Sequence, residues 1–261
     1  MAELFDTHAH LDFPAFDEDR DEVIGRAREA GVRRIVTIGS GGGTESSRRA
    51  IAVADTDPDI WATVGVHPHD AKLMDEDAIA GLAELAKANS KVVGLGEIGL
   101  DYAKMYSEKD VQMKWFRRQL DLAKELDLPV IIHDRDAHDD LMKVLKEDGI
   151  GEAGGIMHCY SGGPDLAKEL VEMGFYISFP GVITFKNAKK APEVVEAVPK
   201  DRILIETDCP FLAPHPYRGK RNEPAYVKYV AEAIAKIKGD PYERIARMTT
   251  DNAVRAFGIC N

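Results

Sequence analysis

Two histidines, His8 and His10, stand one residue apart in FDTHAHLDFP, near the start of the chain. In an extended strand successive side chains alternate faces, so both imidazoles point the same way. Four further groups of metal-binding chemistry recur at or near the ends of apolar stretches. They are Glu97 in VVGLGEIG, His133 in PVIIHD, His158 in GIMHCYS and Asp208 in ILIETDCP. Imidazole nitrogens and carboxylate oxygens suit zinc, manganese and related divalent metals. Six such groups exceed the three protein ligands of a mononuclear catalytic zinc and better fit two cations about 3.5–4 Å apart. The reading puts His8, His10 and Asp208 on one cation, His133 and His158 on the other, and Glu97 between them as the bridge. Asp208 is the candidate base, and Glu97 and Asp208 are the candidate catalytic residues. One buried histidine is ordinarily a core residue. Six such groups buried without partners are costly, and one dinuclear centre accounts for all of them.

Other polar residues rank below these. His67, in GVHPHD, ends the third apolar stretch and is a candidate substrate contact. His69 reads as a loop residue, His138 as a solvated or cap-region residue, and His215 as part of a proline-rich loop. Arg218, Lys220 and Arg221 in PHPYRGKRNEP, and Arg135 just past His133, are candidate anion holders. Cys159 and Cys209 adjoin candidate ligands and read as small packing residues facing the other way.

The elements that would position this set are legible as an alternation. Eight apolar stretches (4–10, 34–39, 60–67, 92–99, 129–134, 155–161, 175–181 and 203–210) resemble strands buried on both faces. Helical spacing fills 17–30, 75–88, 107–126, 136–147, 164–173 and 187–197, then 223–238 and 241–257. Strand–helix alternation repeated eight times predicts an α/β fold, a (β/α)8 TIM barrel, over 1–261 as one domain. An open doubly wound sheet is the alternative. GSGGGT at 39–44 does not match the dinucleotide fingerprint such a sheet would want.

Composition sets limits. The 261 residues are 44% apolar and 30% charged, an ordinary globular mix without a membrane-length apolar run. Three cysteines (Cys159, Cys209 and Cys260) form no CxxC pair, and the start lacks a signal-peptide pattern, so a reducing cytoplasmic setting is expected. The net charge of −11 disfavours broad duplex binding but leaves room for a site that handles one phosphate through cations.

Together FDTHAHLD, GVHPHD, GEIGLDY, PVIIHDRDA, HCYSG and ETDCPFLAPHPYRGKRNEP resemble the TatD-related deoxyribonuclease family of metal-dependent hydrolases, in the same order from residue 5 to about 224. The resemblance implies a (β/α)8 barrel and a divalent-metal nuclease. It also implies His8, His10, Glu97, His133, His158 and Asp208 as metal ligands, the six reached from the residues themselves. It further implies 3′-to-5′ exonuclease action on single-stranded DNA. Cys209 departs from the serine frequent in the family. The expected cofactors are two divalent ions (Mg, Mn or Zn). The expected partner is DNA, single-stranded or frayed, with no membrane, and the protein is expected as a monomer or weak oligomer. The alternative is a metal-dependent amide or ester hydrolase, such as a D-aminoacyl-tRNA deacylase or a small cyclic amide hydrolase. A structural zinc protein would need a closed, cysteine-rich site, which the sequence lacks.

Overall fold

The computed structural model describes residues 2–259; Cys260 lies outside the described residues. Parallel strands alternate with helices in chain order. The strands are β1 (Leu4–Ala9), β2 (Val32–Gly39), β3 (Ile60–Val64), β4 (Val92–Asp101), β5 (Val130–Arg135), β6 (Gly155–Met157), β7 (Phe175–Phe179) and β8 (Ile203–Ile205). The helices are α1 (Arg20–Glu29), α2 (Thr44–Ala54), α3 (Glu76–Ala88), α4 (Lys109–Leu126), α5 (His138–Asp148), α6 (Pro164–Glu172), α7 (Lys190–Ala197), α8 (Val227–Lys238) and α9 (Tyr242–Ala256). This is the (β/α)8 barrel class that the sequence pattern predicts. No helix among the described residues is long and apolar enough to cross a membrane. The chain divides into two compact units, one up to Thr37 and from Cys159 onward, the other Ile38–His158.

In the first unit the strands run β7, β8, β1, β2. Ile177 pairs with Ile203, Ala9 bridges to Cys209, and Phe5 pairs with Arg34. Every residue of β1 is buried, Asp6, Thr7 and His8 included, as expected of a strand covered on both faces. The C-terminal helix holds this sheet from one side. Phe257 stacks on Phe5 with ring centroids 6.1 Å apart. The Asn252 amide donates to the carbonyls of Lys200 (2.9 Å) and Ile203 (2.8 Å).

In the second unit β3, β4, β5 and β6 pair in order. The register of β4 on β5 passes from Gly96–Ile131 directly to Ile98–Ile132, leaving Glu97 as the extra residue of a bulge, a feature that re-aims a side chain. The close approach explains the glycines on either side. A Cβ at Gly99 would lie 2.0 Å from the His133 carbonyl oxygen, and one at Gly96 would lie 2.6 Å from Ile131. Helix α4 clamps the end of β4 and the segment just past β3 with glutamines seven residues apart. Gln112 takes the N–H of Asp101 (2.9 Å) and donates to its carbonyl (3.1 Å). Gln119 does the same for Val66, at 2.7 and 3.1 Å.

Two local differences from the sequence reading have physical causes. Helix α2 carries no clear apolar period in the sequence, because its first turns bury Ser46 and Ser47 where an amphipathic helix ordinarily places apolar side chains. Ser47 is polar but satisfied: its hydroxyl donates to the Gly39 carbonyl at 2.6 Å. Five strands also stop short of their apolar stretches, at Ala9, Val64, Met157, Phe179 and Ile205. His67, His158 and Asp208 therefore sit on loops just past strand ends.

Candidate metal centre

In the first unit, His8 and His10 turn Nε2 toward one oxygen of Asp208. His8 Nε2 is 3.8 Å and His10 Nε2 3.3 Å from Asp208 Oδ1. The backbone sets this spacing. Asp208 has φ of 57°, a left-handed conformation that aspartate tolerates better than most residues. Its N–H donates to the His8 carbonyl (2.9 Å), while the His10 N–H donates to the Cys209 carbonyl (2.8 Å). Beneath these residues the buried Asp6 carboxyl accepts the Thr207 N–H (2.9 Å) and hydroxyl (2.6 Å). Burial pushes Asp6 up to about 8 despite those bonds. Glu206 accepts the Ser178 hydroxyl (2.6 Å) and the Cys159 N–H (2.8 Å).

Ligands about 2.0–2.2 Å from a tetrahedral cation lie about 3.4 Å from one another. The 3.3 and 3.8 Å separations fit that shell, and the donor set of two imidazoles and a carboxylate suits a borderline divalent metal.

In the second unit three imidazoles surround one oxygen of Glu97. His133 Nδ1 is 2.8 Å, His67 Nε2 3.6 Å and His158 Nε2 3.6 Å from Glu97 Oε1. Ligand atoms of His67, Glu97 and His133 all lie within 4.8 Å of one another. Burial alone would raise the Glu97 pKa, but His158, His67 and His133 hold its carboxyl well below the usual range. Burial lowers His67 to about 4, so its ring is neutral and able to bind a cation or accept a hydrogen bond. Burial also opposes charge on His133. Its bonds to Asp101 and Glu97 prevail, and its pKa rises to about 9.

The six residues the sequence nominates as ligands thus stand in two trios: His8, His10 and Asp208 in one unit, and Glu97, His133 and His158 in the other. The second cluster also holds two residues not nominated. Asp101 Oδ2 lies 3.1 Å from His133 Nε2 and 2.9 Å from His69 Nε2. The signal for Asp101 was present, since it follows Glu97 by four residues on the same strand. His69, a loop residue by the sequence pattern, lies in the short 3-10 turn Pro68–Leu73, where its ring is bonded to Asp101.

The nominated anion holders differ among themselves. Arg135 is exposed at the end of β5. Arg218 is exposed with its guanidinium 4.6 Å above the Phe185 ring, and Lys220 lies 5.8 Å from the Tyr217 ring. Arg221 is engaged: its two terminal nitrogens grip Asp19 at 2.9 and 2.6 Å, and one also donates to the Ala15 carbonyl. Among the lesser residues, His138 Nδ1 lies 2.5 Å from Asp134, and His215 is exposed on its loop. Cys209 is fully buried and burial pushes its thiol well above the ordinary range, which fits packing. Cys159 has a left-handed backbone (φ 46°) two residues past β6, so strand alternation does not set its direction.

Residues 5–258 match the family model described as TatD related DNase. The metal-dependent hydrolase YabD of Bacillus subtilis, itself uncharacterized, is 53% identical over 98% of this chain and 99% of its own length. The 3′-5′ ssDNA/RNA exonuclease TatD of Erwinia tasmaniensis is 35% identical over 98% of this chain and 100% of its own. Among solved structures, the TatD homologue YjjV of Escherichia coli K12 superposes with a TM-score of 0.92 at 31% identity, covering 98% of each chain.

Proposed function

The chain belongs to the TatD related DNase family and is a metal-dependent hydrolase; from that premise we propose that it is a two-metal deoxyribonuclease removing nucleotides from the 3′ end of single-stranded DNA. The observation that carries the reading is that each unit holds a trio of His and carboxylate chemistry with its ligand atoms close together. His8, His10 and Asp208 would hold one divalent cation, His133 and His158 the other, with Glu97 between them, on one catalytic domain over 1–261. When bound, such cations lower the pKa of a water and polarise a phosphoryl oxygen.

The protein's own groups supply the rest. Asp208 accepts the proton of the attacking water, and its left-handed backbone aims the carboxylate at that task. Glu97 stays ionised and therefore acceptor-only, as a shared ligand must. The neutral His67 ring orients a substrate oxygen. Arg135, Arg218 and Lys220 hold the phosphates on either side of the cut, whereas Arg221 serves Asp19. A preference for single strands is supported by the net charge of −11, which offers duplex backbone no broad cationic footprint. It is supported also by Phe211, 48% exposed and packed edge-on against His10 and Phe13, a ring on which a splayed base can stack. The protein works in the cytoplasm as a monomer or weak oligomer.

The same centre would cleave an amide or carboxylic ester, and the engagement of Arg221 by Asp19 favours that second reading by removing one phosphate holder. End-labelled single- and double-stranded DNA and RNA, a D-aminoacyl-tRNA and a cyclic amide, each with Mg, Mn, Zn or Co, separate the two. Stepwise shortening of single-stranded DNA from its 3′ end, abolished by chelation, is the expected result. Turnover of the amide or the charged tRNA with intact DNA overturns it.

A further inference from the structure

His133 is held from both sides of its ring. Nδ1 faces Glu97 Oε1 at 2.8 Å and Nε2 faces Asp101 Oδ2 at 3.1 Å. Glu97 belongs to the ligand trio and Asp101 does not. Asp101 is fully buried and rigidly placed. Gln112 of α4 clamps its backbone on both sides, the Lys104 N–H donates to Oδ1 at 2.7 Å, and Oδ2 meets two imidazoles. A neutral imidazole carries one proton, and the hydrogen bond made by one nitrogen decides which nitrogen remains to bind a metal.

We propose that Asp101 is a positioning residue for the second trio. It accepts the Nε2 proton of His133, fixes that ring's tautomer and angle, and leaves Nδ1, the nitrogen beside Glu97, for a divalent cation. Partners of this kind raise the basicity of the ligand nitrogen, and their loss typically costs about 10- to 100-fold in metal affinity. The chain of support runs from α4 through Gln112 to the backbone of Asp101, then to the ring of His133. His69 shares Oδ2 from the outer side and is 28% exposed in its side chain, so its loss leaves the bond to His133 in place.

The inference rests on the metal-binding reading of His133, and the test separates the two. Zinc is titrated into apo wild-type protein against a chromophoric chelator, and the His133 ring nitrogens are followed by nitrogen-15 NMR of the zinc-loaded protein. Wild-type protein is expected to bind two equivalents with the His133 ring proton on Nε2. Binding of none to wild type overturns the metal reading itself before any variant is made. Asp101→Ala is expected to weaken one equivalent about 10- to 100-fold and to release the ring from the Nε2–H form. Asp101→Asn, which keeps an acceptor oxygen of the same shape, is expected to stay within about tenfold of wild type, and His69→Ala to match wild type. If Asp101→Ala does not fold, Asp101→Asn carries the test through the ring-nitrogen signals. Zinc affinity at wild-type level in Asp101→Ala, Asp101→Asn no better than Asp101→Ala, or His133 protonated on Nδ1 in the zinc-loaded wild type each overturns the proposal. A purely structural role would lower the melting temperature of the apo protein and leave zinc affinity and tautomer unchanged.

Discussion

The two trios are held in different ways. His8, His10 and Asp208 stand 3.3–3.8 Å apart because backbone bonds between β1 and the loop after β8 place them there. Glu97 and His133 touch at 2.8 Å because opposite charges have closed on each other. The first arrangement is already spaced for a cation, with its scaffold in the buried Asp6–Thr207 pair below. The second must exchange a proton and a charge pair for a cation, so its readiness depends on pH and on the groups behind the histidine. Pre-spacing by the backbone and pre-pairing by side chains are two solutions to keeping imidazoles in a protein interior.

The contrast breaks most visibly at the ligands themselves. Asp208→Ala is expected to lower metal-dependent hydrolysis about a thousandfold or more, as losses within a catalytic unit do. It should also remove one metal equivalent, counted by atomic emission, and leave the second bound. Glu97→Ala should be as damaging to rate yet disturb the second trio. Near-wild-type rates in either variant would sink the two-trio reading. Next in size is Thr207→Val, which takes both the hydroxyl and its bond from buried Asp6. A loss of about 1–3 kcal/mol is expected in denaturant unfolding, with the first trio's metal weakened and the second's unchanged.

A smaller, pH-borne difference follows from His133. Its folded pKa of about 9 lies above the unfolded value near 6.5. Its contribution to metal-free stability is therefore complete below pH 6.5 and lost as pH rises toward 9. Metal binding needs the neutral ring, so affinity at the second trio should climb over that window with proton release, visible by calorimetry in buffers of different ionisation heat. Equal pH dependence at both trios would erase the distinction. The smallest expected effect is Arg221→Ala, within about twofold on turnover and costing about 1 kcal/mol or less of stability for a surface pair. Arg218→Ala should weaken substrate binding more, read as a higher KM.

Much of this was legible beforehand. The eight apolar stretches announced the alternation because parallel strands buried on both faces are apolar throughout. The six nominated ligands stood out because polar side chains interrupt such stretches only where something compensates them. Helix α2 was hidden because its buried face begins with Ser46 and Ser47, whose bonding partners no periodicity registers. Arg221 looked like a phosphate holder because its loop is cationic. Its partner, Asp19, lies 202 residues away in sequence.

The sequence by itself determined the class of fold, the family and the chemistry of the candidate ligands, since these depend on residue type and on local period. Tertiary structure decided what those ligands face. The bulge at Glu97, enforced by the close approach of Gly96 and Gly99 to β5, turns one carboxylate toward three imidazoles. The left-handed turn at Asp208 brings its oxygen within reach of both His8 and His10. Asp101 became the second partner of His133 only through strand pairing, because a ring's orientation is set by groups distant in the chain.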